Sequence, residues 1–268
     1  MLIHRTLCFA TVAGVLILAG VNAVKTNAHE PKDEVLSIVY DSYAEFIFTE
    51  NGEAKGYFVD VLTEALVRRL GVPVKFVMQP WQRAQFSVEK GTEDAMVTVV
   101  TPARLLYASA GEVPIAVSAV AVFTAVNHPR FEDMKRIDSV EDLGDYRILT
   151  YLGDGWAKEN LAGLGVDFGG KDLESVLRKL KWGRGDVFPQ TEDVTLYYID
   201  ELGYESSIVP VPGVNLGHIQ FHLMIGKDSP FLEPLPKIDQ TLREMKSDGF
   251  LERFKEPYKY VPRQVGGY

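Results

Sequence analysis

The sequence predicts an α/β fold of two lobes joined by a two-segment hinge. Three observations predict it. Short apolar, β-branched runs alternate with stretches of helical periodicity over residues 35–100, and again over residues 147–211. Strand, helix, strand order of this kind marks parallel α/β units. No flexible linker separates the two units, and the joins read instead as extended segments near Phe123 to Asn127 and Gln220 to Gly226. Finally, several strand-like runs end in a turn residue beside one polar side chain, which is where α/β proteins hold ligands.

The elements follow in order. Val35 to Tyr40 is a β-rich run, followed by a polar and aromatic loop, Asp41 to Phe48, and an Asn51-Gly52 turn. Phe58, Leu62, Ala65 and Leu66 recur at helical spacing, and Gly71 stops that helix with Pro73 just beyond. Val74 to Met78 reads as a strand, Trp81 to Glu89 as a helix broken by Gly91, and Ala95 to Val100 as a further strand ended by Pro102. Val117 to Val126 is a long apolar run broken at His128-Pro129, and Ser139 to Asp142 resembles a capping box. Arg147 to Leu152 is a strand ending in Gly153-Asp154-Gly155. Leu173, Val176, Leu177 and Leu180 mark a helix stopped near Gly183. A strand starts at Asp186 to Phe188 and is expected to be cut short by Pro189. Val194 to Leu202 reads as a helix, Ser207 to Val211 and Ile219 to Ile225 as strands, and Leu235 to Met245 as a helix capped by Gly249. The implied division is lobe 1 at residues 34–124 and 224–260, lobe 2 at 125–223, and a frayed tail at 261–268.

Residues 1–23 read as a cleavable signal peptide: Arg5 precedes an apolar segment from Leu7 to Gly20 that is too short and wrongly flanked for a membrane span. A second cut site is open at Ala28. The protein is therefore expected in the periplasm. Cys8 is the only cysteine, so the mature chain is expected to have no disulfide, thiol nucleophile or thiolate metal site. The net charge of −9 becomes −10 without Arg5 and argues against a nucleic-acid surface. No internal repeat or charge block is present, and a monomer is expected.

Thr101 and Arg104 lie just past a strand end, and a guanidinium there fits a carboxylate. Trp81 and Arg83 follow Pro80 in the same way. Trp81 either meets a planar ligand or packs between helix and sheet, and Arg83 either joins it or is solvated. Tyr43, Glu45 and Phe46 occupy the loop after the first strand, where Phe46 is as well suited to the core as to a ligand. Gln190 and Glu192 sit at a strand end of the second unit. His218 and His222 flank the second crossing, and no spacing suggests a metal cluster. No catalytic residue and no cofactor is assigned.

The chain resembles the extracellular solute-binding proteins of family 3, the receptors of polar amino-acid ABC importers. The resemblance rests on N-G-E-A-K-G-Y-F-V-D-V-L at 51–62, G-T-E-D-A at 91–95, T-P-A-R at 101–104 and S-V-E-D-L at 139–143. It continues in G-R-G-D-V at 183–187, K-D-S-P-F-L at 227–232 and S-D-G-F-L-E-R-F-K at 247–255. The P-W-Q-R-A segment at 80–84 resembles a divergent branch. The family implies a type II periplasmic-binding fold, a small carboxylate-bearing ligand such as an amino acid, and an inner-membrane ABC permease as partner. It implies that Arg104 takes the ligand's carboxylate, that Tyr43 and Phe46 stack on it, and that the loop at Gly155 caps it. Two departures stand out. The capping loop reads Gly153-Asp154-Gly155, and the position of the usual ammonium-holding aspartate falls on Thr191, with Glu192 one residue off. A sensory receptor of the same fold, or a cyclohexadienyl-dehydratase-like enzyme using Glu45, Glu192 or His222, are the alternatives.

Overall fold

A computed structural model describes residues 35–255. The expected signal peptide and frayed tail lie outside the described residues. The first lobe is organised around Leu36–Tyr40 (β1), all five residues of which are buried, as befits a central strand covered on both faces. Phe48–Glu50 (β2) and Glu53–Lys55 (β3) form a hairpin whose turn places Asn51 and Gly52 at positive φ. Tyr57–Leu62 (α1) runs on into a π-helical stretch, Thr63–Arg69. Val74–Met78 (β4), Trp81–Glu89 (α2), Ala95–Thr98 (β5), Pro102–Leu105 (α3) and Ala108–Ala110 (β6) follow. β1 pairs in parallel with β4 on one side and β5 on the other.

Ala116–Ala125 (β7) leads into the second lobe. There Phe131–Met134 (α4), Ile148–Tyr151 (β8), Gly155–Asn160 (α5), Val166–Gly170 (β9) and Leu173–Lys181 (α6) are followed by Phe188–Thr191 (β10), Glu192–Glu201 (α7) and Ile208–Pro210 (β11). The chain returns along His218–Gly226 (β12) to Leu235–Ser247 (α8) and Phe250–Lys255 (α9), which pack against α1 and its π-helical extension. α6 is the clearest amphipathic helix: Leu173, Val176, Leu177 and Leu180 are buried, and Asp172 and Ser175 close a capping box at its start.

Both crossings are strands, and they pair with each other. Ala116 to Ala119 run antiparallel to His218 to Phe221. Beyond that ladder β7 joins β10 and β11 of the second lobe, while β12 joins β5 and β6 of the first. This ladder lies earlier on both strands than the expected joins, because Phe123 to Ala125 already pair inside the second lobe and His222 to Ile225 inside the first. An unbroken apolar run does not mark where a strand changes partner.

Three local expectations need correction. β5 ends at Thr98, and Pro102 does not merely end a strand: it occupies the first turn of α3, whose N-cap is Thr101. Pro189 lies within β10, opposite Val122, instead of cutting the strand short. Before the 3-10 turn at Glu141–Asp145, Asp142 accepts from the backbone N–H groups of Asp138 and Ser139, so the carboxylate reaches back to the turn instead of Ser139 reaching forward.

A half-buried carboxylate pins each lobe. In the first, Asp94 accepts from the Ser37 backbone N–H at 2.9 Å and hydroxyl at 2.7 Å, and from Ser229 Oγ at 2.8 Å. In the second, Asp186 accepts from the backbone N–H of Arg147 at 2.8 Å and from its guanidinium, with His128 Nε2 at 3.1 Å. Burial alone would raise the Asp186 carboxyl, but the Arg147 and His128 hydrogen bonds outweigh it and hold the group well below the usual carboxylate range. A depressed folded value means a stabilisation present above the unfolded value near pH ~4 and lost as pH falls through it. Asp186→Asn should therefore cost about 1 kcal/mol near neutral pH, Arg147 being exposed. Urea melts as a function of pH should show the gap to the parent closing below pH ~4. A gap that persists unchanged into acid would contradict this account.

Candidate functional site: the interlobe cavity

The lobes meet around a half-open cavity of about 110 Å³. Its walls come from strand ends and the loops beyond them. Tyr40 ends β1 and Asp41 to Tyr43 follow it, Val97 and Thr98 end β5 with Val99 just beyond, Tyr151 ends β8, Gly153 and Asp154 lead into Gly155 and Trp156 of α5, and Gln190 lies on β10. Ile219 and Phe221 of the returning crossing strand close the back.

Trp81 begins α2, and its backbone N–H is held by Asp41 Oδ2 at 2.8 Å. Its indole lines the cavity and donates to Gly153 O at 3.0 Å, across the lobes. Gln85 stands one helical turn further on, on the same face as Trp81. Arg83, two positions along, faces away: it is exposed and outside the cavity wall. The expectation of a guanidinium beside the ligand at that position is thus corrected by helix geometry.

Arg104 is 4% exposed and faces the interlobe space. Thr101 Oγ1 accepts its backbone N–H at 3.2 Å, so Thr101 sets the arginine's place without lining the cavity itself. The guanidinium is already engaged. Nε and Nη2 donate to Gln85 Oε1 at 3.1 and 3.0 Å, Nη1 to Val99 O at 2.9 Å, and Nη2 also to Gly153 O at 3.2 Å. It lies 5.5 Å from the Trp81 ring. Burial lowers its pKa, with Tyr107, Tyr151 and Asp154 opposing. Gly155 is needed here, since a Cβ at that position would overlap the guanidinium.

Asp154 is the N-cap of α5: Oδ1 accepts from Ala157 N at 3.0 Å, and Oδ2 from Thr150 Oγ1 at 2.7 Å and Gln190 Nε2 at 3.1 Å. Burial raises its pKa against those hydrogen bonds and the Arg104 charge. Gln190 is buried in the wall. Tyr43 reaches over from the first lobe, its hydroxyl 2.7 Å from Thr191 Oγ1 and 3.3 Å from Gln190 Oε1, and burial pushes its pKa up. Thr191 thus receives a tyrosine hydroxyl at the position where the family resemblance places an ammonium holder. Tyr198 likewise donates to Ser42 O at 3.2 Å.

Phe46 is buried behind the cavity. Its ring centroid lies 4.9 Å from Phe58 and 5.3 Å from Phe221, both of which line the wall, so Phe46 backs the site without entering it. Glu192 opens α7, half-buried, and lies outside the wall. The same holds for Glu45, whose pKa is raised by burial and by Asp193, and for His222, whose Nδ1 sits 2.8 Å from Gly111 O. Sequence reasoning missed Gln85, Thr98, Tyr151 and Trp156. The spacing of Trp81 and Gln85 on one helix contained a usable signal for the first, whereas the others belong to the wall only through tertiary packing. Among the described residues there is no group of three or more side chains suited to a metal ion.

Two α/β lobes, a paired double crossing and a cavity between them define a two-lobed protein of the periplasmic-binding fold. Residues 36–260 match the model for bacterial extracellular solute-binding proteins, family 3, and the chain belongs to that family. No curated protein matches it significantly in sequence. Solved structures share the fold. A histidine kinase sensor domain with similarity to periplasmic binding proteins superposes with a TM-score of 0.71 at 20% identity, over 85% of this chain and 97% of the other. The arginine-, lysine-, histidine-binding protein ArtJ of Geobacillus stearothermophilus gives 0.69 at 13%, over 87% and 98%. The ancestral amino acid-binding protein AncCDT-1, a precursor of cyclohexadienyl dehydratase, gives 0.64 at 24%, over 84% and 95%. No helix among the described residues is long and apolar enough to cross a membrane.

Proposed function

We propose that the protein is a periplasmic receptor that closes two lobes over one small solute and presents the closed form to an inner-membrane ABC permease. The supporting observation is that Tyr43, Trp81 and Arg104 of the first lobe reach Gln190, Thr191 and Gly153 of the second around a cavity between the lobes. The ladder of Ala116 to Ala119 with His218 to Phe221 is the hinge in this reading. A binding role is favoured over catalysis because none of Glu45, Glu192 and His222, the acids and bases the sequence offers, lines the cavity. A thermal-shift screen of the mature chain against amino acids, organic acids, polyamines and small uncharged compounds tests this. A true solute raises the midpoint by mass action. A flat response across the whole panel would sink the receptor reading.

A sensory role on the same fold is the second reading. Lobe-to-lobe hydrogen bonds made by protein groups themselves give the closed form a stability of its own. That suits a receptor whose solute shifts a pre-existing equilibrium. The likeness to a histidine kinase sensor domain supports the same reading.

A further inference from the structure

Three carboxylates line the cavity, and their hydrogen bonds tell them apart. Both Asp41 oxygens are taken, by the Ser42 and Trp81 backbone N–H groups at 2.8 Å each. Both Asp154 oxygens are taken too, by Ala157 on one side and by Thr150 and Gln190 on the other. Asp172 differs. Its Oδ1 accepts from Ser175 N at 2.8 Å as the N-cap of α6, and its Oδ2 has no partner among the described residues. A carboxylate oxygen with open lone pairs calls for a donor. Asp172 is half-buried and lines both the cavity and an outer groove of about 630 Å³ between the lobes. Four carboxylates line that groove, Asp41, Asp172, Glu174 and Glu201, against the single cation Lys171, which is exposed. The mouth is therefore acidic and attracts a cation.

The inner end has the opposite character. Arg104 faces it, hydrogen-bonded only to neutral groups, so its charge is not paired there. The Trp156 indole and the Thr98 hydroxyl belong to residues only 9% and 5% exposed, and neither makes a side-chain hydrogen bond among the described residues. Neither polar atom is sealed in the protein interior, so each opens toward the cavity its residue lines. The indole N–H only donates, so a solute there has to bring an acceptor. Between the two ends, Trp81 lines both spaces, and Tyr197 and Tyr198 line the groove. Ring faces of this kind favour a cation. Met78 and Leu152, 54% and 47% exposed, stand on opposite lobes of the groove and suit an aliphatic chain.

We infer that, on the receptor reading above, the solute is polarised end to end: an acceptor group lies inward against Trp156 and Thr98, and an amine cation lies outward on Asp172 Oδ2. Asp172 is then the residue that selects a cationic solute, and the acids of the groove draw that solute in before contact.

L-Lysine, L-norleucine and L-2-aminoadipate share a head, have chains of similar length, and end in an ammonium, a methyl group and a carboxylate. Titrated calorimetrically into the full mature chain near neutral pH, lysine should bind at least about tenfold more tightly than either, about 1.4 kcal/mol by conversion. Asp172→Asn keeps an N-cap of similar quality and removes only the charge. It should weaken lysine about tenfold and leave any norleucine binding unchanged, with an unfolding midpoint matching the parent's. Raising the salt from about 50 to about 500 mM should weaken lysine several-fold in the parent and norleucine hardly at all, which decides the matter should the variant not fold. Norleucine or aminoadipate binding as tightly as lysine would overturn the inference and leave the receptor reading standing. So would lysine binding that ignores salt, or full affinity for the cation in a folded variant. If lysine does not bind, the wider panel decides. A cation-bearing member that Asp172→Asn weakens supports the inference, and selection of anionic or uncharged members overturns it. If nothing in the series or the panel binds, the receptor reading fails and takes the inference with it.

Discussion

Arg104→Ala should lower the folding stability of the mature chain by about 2–4 kcal/mol, because it strands buried acceptors on Gln85, Val99 and Gly153. For a domain of this size that is of order 10 °C in the unfolding midpoint. Arg104→Lys should not restore it, since one ammonium cannot reproduce a planar fork that reaches three separated oxygens. The same change removes one of the two donors that tie Gly153 to the first lobe, so the radius of gyration in solution scattering should rise. Chemical denaturation and scattering check the two effects separately. A variant as stable as the parent that has lost solute binding would return Arg104 to the carboxylate role expected from the sequence.

Gly56→Ala should cost still more, about 3–5 kcal/mol, through two independent effects. Gly56 has φ +116, and a Cβ there would come within 2.6 Å of Phe46 O and 2.9 Å of Glu45 O. Those atoms are backbone, and they are held: Glu45 O accepts from Tyr57 N at 3.1 Å and Phe46 O from Phe58 N at 2.8 Å. Relief therefore requires moving the loop that carries Tyr43, and the Tyr43–Thr191 contact should go with it. Gly52→Ala is the matched control, with φ +82 but nothing within 4 Å of the added carbon. It should cost only about 1 kcal/mol. Equal losses at the two positions in denaturation midpoints would show that backbone strain, and not the crowded loop, decides the effect.

Much of the fold was legible because burial follows period. β1 and β4 lie where short β-rich apolar runs place them, and α2 and α6 where helical spacing does, since a helix shows its core face every third or fourth residue and a central strand is buried along its length. Residues around Pro102 and Pro189 were less legible. Proline constrains its own torsion and removes a donor, but whether that donor is needed depends on neighbours remote in the chain. The site shows the same division. Trp81, Arg104, Gly155, Tyr43 and Gln190 were chosen at strand and helix ends, and all five line the cavity. Arg83, Phe46, Thr101 and Glu192 were chosen by the same rule and do not, because position along an element says nothing about which face of it a lobe covers.

The amino-acid sequence by itself determined two α/β units, two strand-like crossings and a set of residues at element ends, all consequences of local spacing and turn chemistry. Only the tertiary structure decided where the crossing strands pair and which side chains enclose the cavity. It also decided that the Arg104 guanidinium is occupied by a glutamine four residues beyond Trp81 and a carbonyl of the other lobe. Hydrogen-bond saturation is a property of groups brought together from distant parts of the chain, so no window along that chain contains it.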